Sequence, residues 1–184
     1  PPESDVTARF LPSAGFDLRM PFIANYEYGQ SILTPVVQMV AAANEGKTDR
    51  IGNEDAISVN FDSSSLFLED RFTGLDRYEG GVRANVGLMY TYLGNGGGYT
   101  RVSFGESFHL GGDNSFDSEV NSGLSGKKSD LVGALTWQPN SNCGLSYQVR
   151  MKQDLSQIST QEAYANFTIG NLLGNVGYYD LREE

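Results

Sequence analysis

The sequence predicts an all-β fold: an antiparallel up-and-down meander forming part of a transmembrane outer-membrane β-barrel. Three observations predict it. Apolar and polar residues alternate with a period of two along most of the chain, which places them on opposite faces of strands. The alternating runs number about eight and extend for roughly 9 to 13 residues, beyond the usual strand of about 5 to 6 and close to the 9 to 11 that a tilted strand needs to cross a bilayer. The connections alternate between short and long, as they do where tight turns close one end of an outer-membrane barrel and extended loops the other.

In the first run, Phe16, Leu18, Met20 and Phe22 oppose Asp17, Arg19 and Pro21. Residues 31–42 admit two readings. Thr34-Pro35 could cap a helix through Val36, Val37, Met39 and Val40, but the β-branched residues and the place of the stretch in the series favour a strand. From Val82, the residues Ala84, Val86, Leu88, Tyr90 and Tyr92 share one face, with Arg83, Asn85, Gly87, Met89 and Thr91 on the other. Gly94-Asn95-Gly96-Gly97-Gly98 then makes a hairpin turn, after which Val102, Phe104, Phe108 and Leu110 oppose Arg101, Ser103, Gly105, Ser107 and His109. Leu131, Gly133, Leu135 and Trp137 continue the pattern up to a break at Pro139-Asn140-Ser141-Asn142. Cys143, Leu145, Tyr147, Val149 and Met151 follow, then Ala163, Ala165, Phe167 and Ile169, and a last strand from Val176 to Leu181. Residues 43–79 and 111–127 are the long connections, and on the barrel reading they lie outside the cell.

Composition narrows the function. The 184 residues fit one domain, here a single barrel segment over 1–184. One Cys excludes an internal disulfide or a Cys-rich metal site, and one His leaves no spare base for a triad. The chain therefore reads as no enzyme, with no catalytic residue, metal or cofactor. A net charge of −10 has the wrong sign for holding a phosphate backbone, so no nucleic acid is expected as partner. No apolar run approaches the roughly 18 residues of a membrane-spanning helix. The start at Pro1-Pro2, without Met, is expected of a piece excised from something longer.

Alternation alone does not orient the sheet. A soluble lipocalin-like barrel would hide the apolar face around a hydrophobic ligand, whereas a membrane barrel shows that face to lipid. The mixture of Ala84, Ala134, Ala163 and Ala165 with Leu88 and Phe104 suits lipid, which demands no jigsaw packing. Isolated arginines on the polar face, Arg19, Arg83, Arg101 and Arg150, suit a wet lumen. Tyr90, Tyr92, Tyr99, Trp137, Tyr178 and Tyr179 lie near the short turns, where an interfacial aromatic girdle would place them. A small self-contained outer-membrane barrel, structural or adhesive, is the other alternative.

Several local features carry no chemistry. His109 has no partner ligand, Cys143 reads as a small hydrophobe, and Gly105-Glu106-Ser107 lacks the strand-elbow-helix setting of a nucleophile. Asp113, Ser115, Asp117 and Glu119 alternate as in a calcium loop, but without its central Gly and later Glu they read as a polar loop. Asn166-Phe167-Thr168 is a sequon inside a strand. The richest stretch is 66–83, where Asp70-Arg71 and Asp76-Arg77 sit among Phe and Tyr. Such a loop is suited to folding back into a barrel mouth and bonding to charges there.

That block, with Asn53-Glu54-Asp55 before it and Asn85-Val86-Gly87 after it, resembles the barrel region of the LPS-assembly protein family LptD, also called the organic solvent tolerance family. The matching residues are Asp70, Arg71, Phe72, Gly74, Asp76, Arg77, Glu79, Gly81 and Arg83, with weaker echoes at Arg9-Phe10-Leu11-Pro12 and Ile32-Leu33-Thr34-Pro35. Thr73 and Glu106 depart from the family's expected Ser and Gln. The resemblance implies an internal part of a larger C-terminal barrel in the cell outer membrane. It implies a translocon that takes lipopolysaccharide from periplasmic bridge proteins and, with a plug lipoprotein in its lumen, delivers it to the outer leaflet. Under that reading Arg83, Asn85, Arg101 and Arg150 are lumen contacts for lipopolysaccharide. Asp70, Arg71, Asp76, Arg77 and Glu79 anchor the loop.

Overall fold

Period-two alternation becomes nine strands: β1 (Ser13–Arg19), β2 (Phe22–Tyr26), β3 (Gly29–Ala42), β4 (Gly81–Gly94), β5 (Tyr99–Gly111), β6 (Leu131–Asn140), β7 (Cys143–Met151), β8 (Ile158–Ile169) and β9 (Leu172–Leu181). The computed structural model describes residues 10–44, 60–72, 77–119 and 121–182. All pairings are antiparallel, in the order β1-β3-β4-β5-β6-β7-β8-β9, with β2 also on β3. The first run is thus two strands on one partner. Pro21 has no N–H to give the ladder, so pairing lapses there, although Met20 N still donates to Pro35 O at 3.2 Å. Residues 31–42 lie within β3, so the strand reading of that stretch holds and the helix does not form.

β3 and β4 run to 14 residues each and β5 to 13, and the long connections gather at one end of the sheet. The other end carries tight turns. Gly94 N donates to Gly98 O at 2.8 Å, with Gly97 at φ 88°, a conformation that costs glycine little. Asn140 Oδ1 caps its turn by accepting from the N–H groups of Asn142 and Cys143 at 2.8 and 3.1 Å. The sheet is open among the described residues: β9 pairs only with β8, and β1 and β2 only with β3. That arrangement is consistent with part of a barrel.

The register sorts the faces. Leu88 pairs with Phe104, and Leu135 with Tyr147, across one face, while Asn85 pairs with Ser107, and Val132 with Arg150, across the other. The apolar face is the open one: Phe16, Phe104, Trp137 and Val176 are 60, 49, 47 and 64% exposed. Leu88, Leu135 and Val149 are half-buried beside Phe104, not packed in a dry centre. The buried apolar cluster, Phe61, Leu66, Phe72, Phe116, Leu124 and Val132, belongs mainly to the two long connections and lies on the polar side of the sheet. A lipocalin-like carrier would show the opposite distribution. Of the six girdle aromatics, Tyr90, Tyr92, Trp137 and Tyr178 lie on the apolar face. The register turns Tyr99 and Tyr179 to the polar face.

Candidate functional site

The site is the polar face where the long loops cover it. Register brings Gln38, Asn85 and Ser107 into one row across β3, β4 and β5. They are joined side chain to side chain: Asn85 Nδ2 donates to Gln38 Oε1 at 2.7 Å, and Ser107 Oγ to Asn85 Oδ1 at 2.6 Å. Three short polar side chains in a row leave acceptors facing the loop above. Arg71 fills them from that loop, donating through Nη2 to Asn85 Oδ1 (2.8 Å), Ser107 Oγ (2.9 Å) and Leu66 O (3.3 Å).

The next row explains how the loop comes so close. Gly87 pairs with Gly105. A Cβ on Gly87 would lie 2.8 Å from the Phe67 ring, and one on Gly105 2.5 Å from Leu66 Cδ2. The two glycines open a slot that these loop side chains occupy, and Gln38 Nε2 secures it by donating to Phe67 O at 2.9 Å. Asp62 Oδ1 shapes the turn that delivers them, accepting from Ser64 N at 2.8 Å and Ser65 N at 2.9 Å.

The two long loops also hold each other. Phe72 stacks on Phe116 with centroids 4.7 Å apart, and the Arg77 guanidinium lies 4.2 Å over the Phe72 ring. Arg77 also pairs with Glu119 and donates to Ser115 O at 2.6 Å. Asp70 Oδ1 accepts from Phe72 N at 3.1 Å and from Glu79 N at 3.2 Å. The stretch that superficially matched a calcium loop therefore supplies loop contacts through Ser115, Phe116 and Glu119.

Buried charge concentrates here. Arg71 and Arg83 are each 3% exposed and Glu79 is 5% exposed. Glu79 Oε1 lies 3.0 Å from Arg71 Nη1 and 3.5 Å from Arg83 Nε. Arg83 Nη2 also donates to Leu68 O at 3.2 Å and to Glu69 O. Burial pushes the Arg71 guanidinium down to about 10, against the pull of Glu79 and with a further push from Arg83. Burial likewise raises the Glu79 carboxyl, while Arg71 and Arg83 act to lower it. Two guanidiniums share the Glu79 carboxylate, and the Asp70 charge bears on it from beside them. A second contact joins the 112–130 loop to β7: Arg150 lies 3.7 Å from Asp130 Oδ2 and donates to Ser122 O at 3.2 Å.

Arg83, Asn85, Arg101 and Arg150 all lie on the polar face, as the alternation requires. Loop residues cover three of them, at 3, 0 and 5% exposure for Arg83, Asn85 and Arg150. Arg101 is the exposed member, its guanidinium 5.8 Å from the Tyr99 ring centroid. Asp70, Arg71, Arg77 and Glu79 converge on the same covered region. Asp76 lies outside the described residues, as do Arg9, Asn53, Glu54, Asp55, Thr73 and Gly74. Sequence reasoning missed Gln38, Ser107 and Val132. Val132, an apolar residue at a polar-face position beside Asp130, was the available signal. Among the described residues no group of three His, Cys, Asp or Glu side chains is placed to hold a metal ion. Residues 2–184 match the family model described as LptD: LPS transport system D. No curated protein matches the chain.

Proposed function

The chain belongs to the LptD family, a lipopolysaccharide transport component rather than an enzyme, and from that premise we propose that its sheet is a wall segment of an outer-membrane translocon barrel. Its apolar face meets lipid, its polar face lines the lumen, and lipopolysaccharide is delivered past it to the outer leaflet. The observation that carries this reading is the inverted burial: Asn85 is 0% exposed and Arg83 3%, while Phe104 is 49% exposed. A lipid-facing strand surface needs no protein cover, and a lumen wall can be capped by polar loops.

Within that reading Arg101 is the cation available to lipid A phosphates, since a guanidinium binds a phosphate through two parallel hydrogen bonds. Arg83, Asn85 and Arg150 are occupied by loop groups, so their part is to seat the loops alongside Asp70, Arg71, Arg77 and Glu79. The partners are lipopolysaccharide, outer-membrane lipid, the periplasmic bridge proteins and a plug lipoprotein. The test is Arg101→Glu in the protein that carries this chain. Surface delivery of lipopolysaccharide falls and outer-membrane permeability to hydrophobic dyes rises, at unchanged protein level. Unchanged delivery and permeability would remove Arg101 from the passage.

A further inference from the structure

Below the loop cap the polar face of β7, β8 and β9 carries a depression of about 310 Å³. Two register rows build it: Gln148, Glu162 and Tyr179 in one, Ser146, Tyr164 and Gly177 in the next. The row above them, Arg150 and Thr160, is already covered, and Phe61 of the loop reaches the edge of Gln148 and Glu162. The depression therefore lies directly beneath the cap, on the wall that a substrate passing along the polar face would follow.

Its chemistry is specific. Tyr164 and Tyr179 are 48 and 57% exposed in adjacent rows of the polar face. Glycine at 177 leaves the floor open: a Cβ there would only touch Tyr164 Cδ2, at 3.9 Å. Neither ring, nor the Ser146 hydroxyl, the Gln148 amide or the Glu162 carboxylate, makes a side-chain hydrogen bond to another described residue. Higher on the same face Gln38, Asn85 and Ser107 are fully engaged, so donors and acceptors without a side-chain hydrogen bond around two open rings set this patch apart. An aromatic face matches the C–H face of a pyranose, and carboxylate, amide and hydroxyl groups match its ring hydroxyls. Neither Lys nor Arg lines the depression, the nearby Arg150 guanidinium that acts on Tyr179 is held by Asp130 and Ser122 O in the covered row above, and Glu162 repels anions, so a phosphate is not what it recognises.

We propose that Tyr164 and Tyr179, with Ser146, Gln148 and Glu162, form a binding platform for the neutral sugars of a glycan chain. The assignment rests on the lumen reading of this face and adds to it a contact for the saccharide part of the substrate, distinct from the phosphate contact at Arg101. The probe is a delipidated, dephosphorylated core oligosaccharide, followed by saturation-transfer NMR with the full chain in detergent micelles. Saturation passes to sugar ring protons in the unsubstituted chain. Affinity falls roughly tenfold in the Tyr164→Ala/Tyr179→Ala double variant, one decade being what two aromatic contacts supply. Gly177→Leu, which fills the floor without removing a ring, abolishes binding, while Tyr164→Phe/Tyr179→Phe retains most of it. Absence of saturation transfer in the unsubstituted chain, or equal affinity in Gly177→Leu, overturns the platform. Lipopolysaccharide delivery by the unsubstituted protein is scored separately: delivery without oligosaccharide binding overturns the platform alone, and failure of delivery overturns the transport reading.

Discussion

Phe104 and Ser103 are adjacent in sequence near the middle of β5 and point to opposite faces, so replacing each with Arg tests the orientation of the whole sheet. On the lipid side, an Arg near the bilayer midplane costs about 2–4 kcal/mol. Phe104 already stands 49% exposed, so little protein packing is lost with it and the lipid term dominates. On the polar side, Ser103 pairs with Met89 and Ala134 in the open part of that face, two residues from Arg101. A long cation can extend there into water at a cost within about 0.5 kcal/mol, as for ordinary surface changes. The expected difference of about 2–3 kcal/mol corresponds to a roughly 30- to 150-fold shift in the folded-to-unfolded ratio, at about 1.4 kcal/mol per decade. The protein carrying this chain is refolded into phospholipid vesicles and titrated with urea, with folding read from heat-modifiable gel migration. Phe104→Arg lowers the urea midpoint and Ser103→Arg leaves it in place. Equal midpoints, or the reverse order, would refute the assignment of the apolar face to lipid.

Two further predictions concern the loop cap. Arg71→Met removes the donor to Asn85, Ser107, Leu66 O and Glu79, and the loss of hydrogen bonds to a charged group destabilises the seated loop by about 2–3 kcal/mol. Trypsin cleavage after Arg77 then accelerates about 30- to 150-fold, in proportion to the open population, and an unchanged rate means the loop is held elsewhere. Phe116→Ala deletes the ring stacked 4.7 Å from Phe72 and empties a fully buried position, at a cost of about 3–5 kcal/mol. Hydrogen exchange should show protection lost in both the 60–72 and 112–130 segments. Loss confined to the second segment would show that the two loops do not depend on each other.

The strands were legible because a sheet whose two faces differ in polarity writes its period directly into the sequence. Val82 to Tyr92 and Cys143 to Lys152 needed nothing but alternation, whereas the run from Phe16 to Phe22, read as one strand, divides at Pro21 because of its missing N–H. What alternation could not show is where a loop lands. Arg83, Arg101 and Arg150 occupy equivalent positions in the pattern, yet only Arg101 is open, because the 60–72 and 112–130 segments reach the other two. Those segments have no period, and their contacts span long separations: Gln38 to Phe67, Arg71 to Ser107, Arg77 to Glu119. The anchoring block 70–79 was recognisable from its paired charges and aromatics. Its counterpart on the sheet, the row Gln38, Asn85 and Ser107, consists of ordinary polar residues made special only by register. Tyr179, read as part of a lipid-side girdle, turns to the polar face because residues 178 and 179 necessarily take opposite sides of β9.

The placement of the buried charges bears on how the cap works. In a soluble domain the dry region is where the sheet's own apolar face meets another layer. Here the dry region is assembled on the polar face by loop residues, Phe61, Leu66, Phe72, Phe116 and Leu124, with Val132 as the sheet's contribution. The low dielectric of this water-excluded region strengthens the pairing of Glu79 with Arg71 and Arg83, and it also raises the cost of separating them. A cap held by apolar contact alone could slide across the sheet, since such contacts are non-directional. Arg71 cannot shift by one residue along β4 without exchanging Asn85 Oδ1 for a side chain on the opposite face. The charged cluster therefore fixes position and the rings supply most of the favourable burial. Leu66 and Phe67 seat over the paired Gly87 and Gly105, and nowhere else along these rows does register place two glycines opposite each other across β4 and β5.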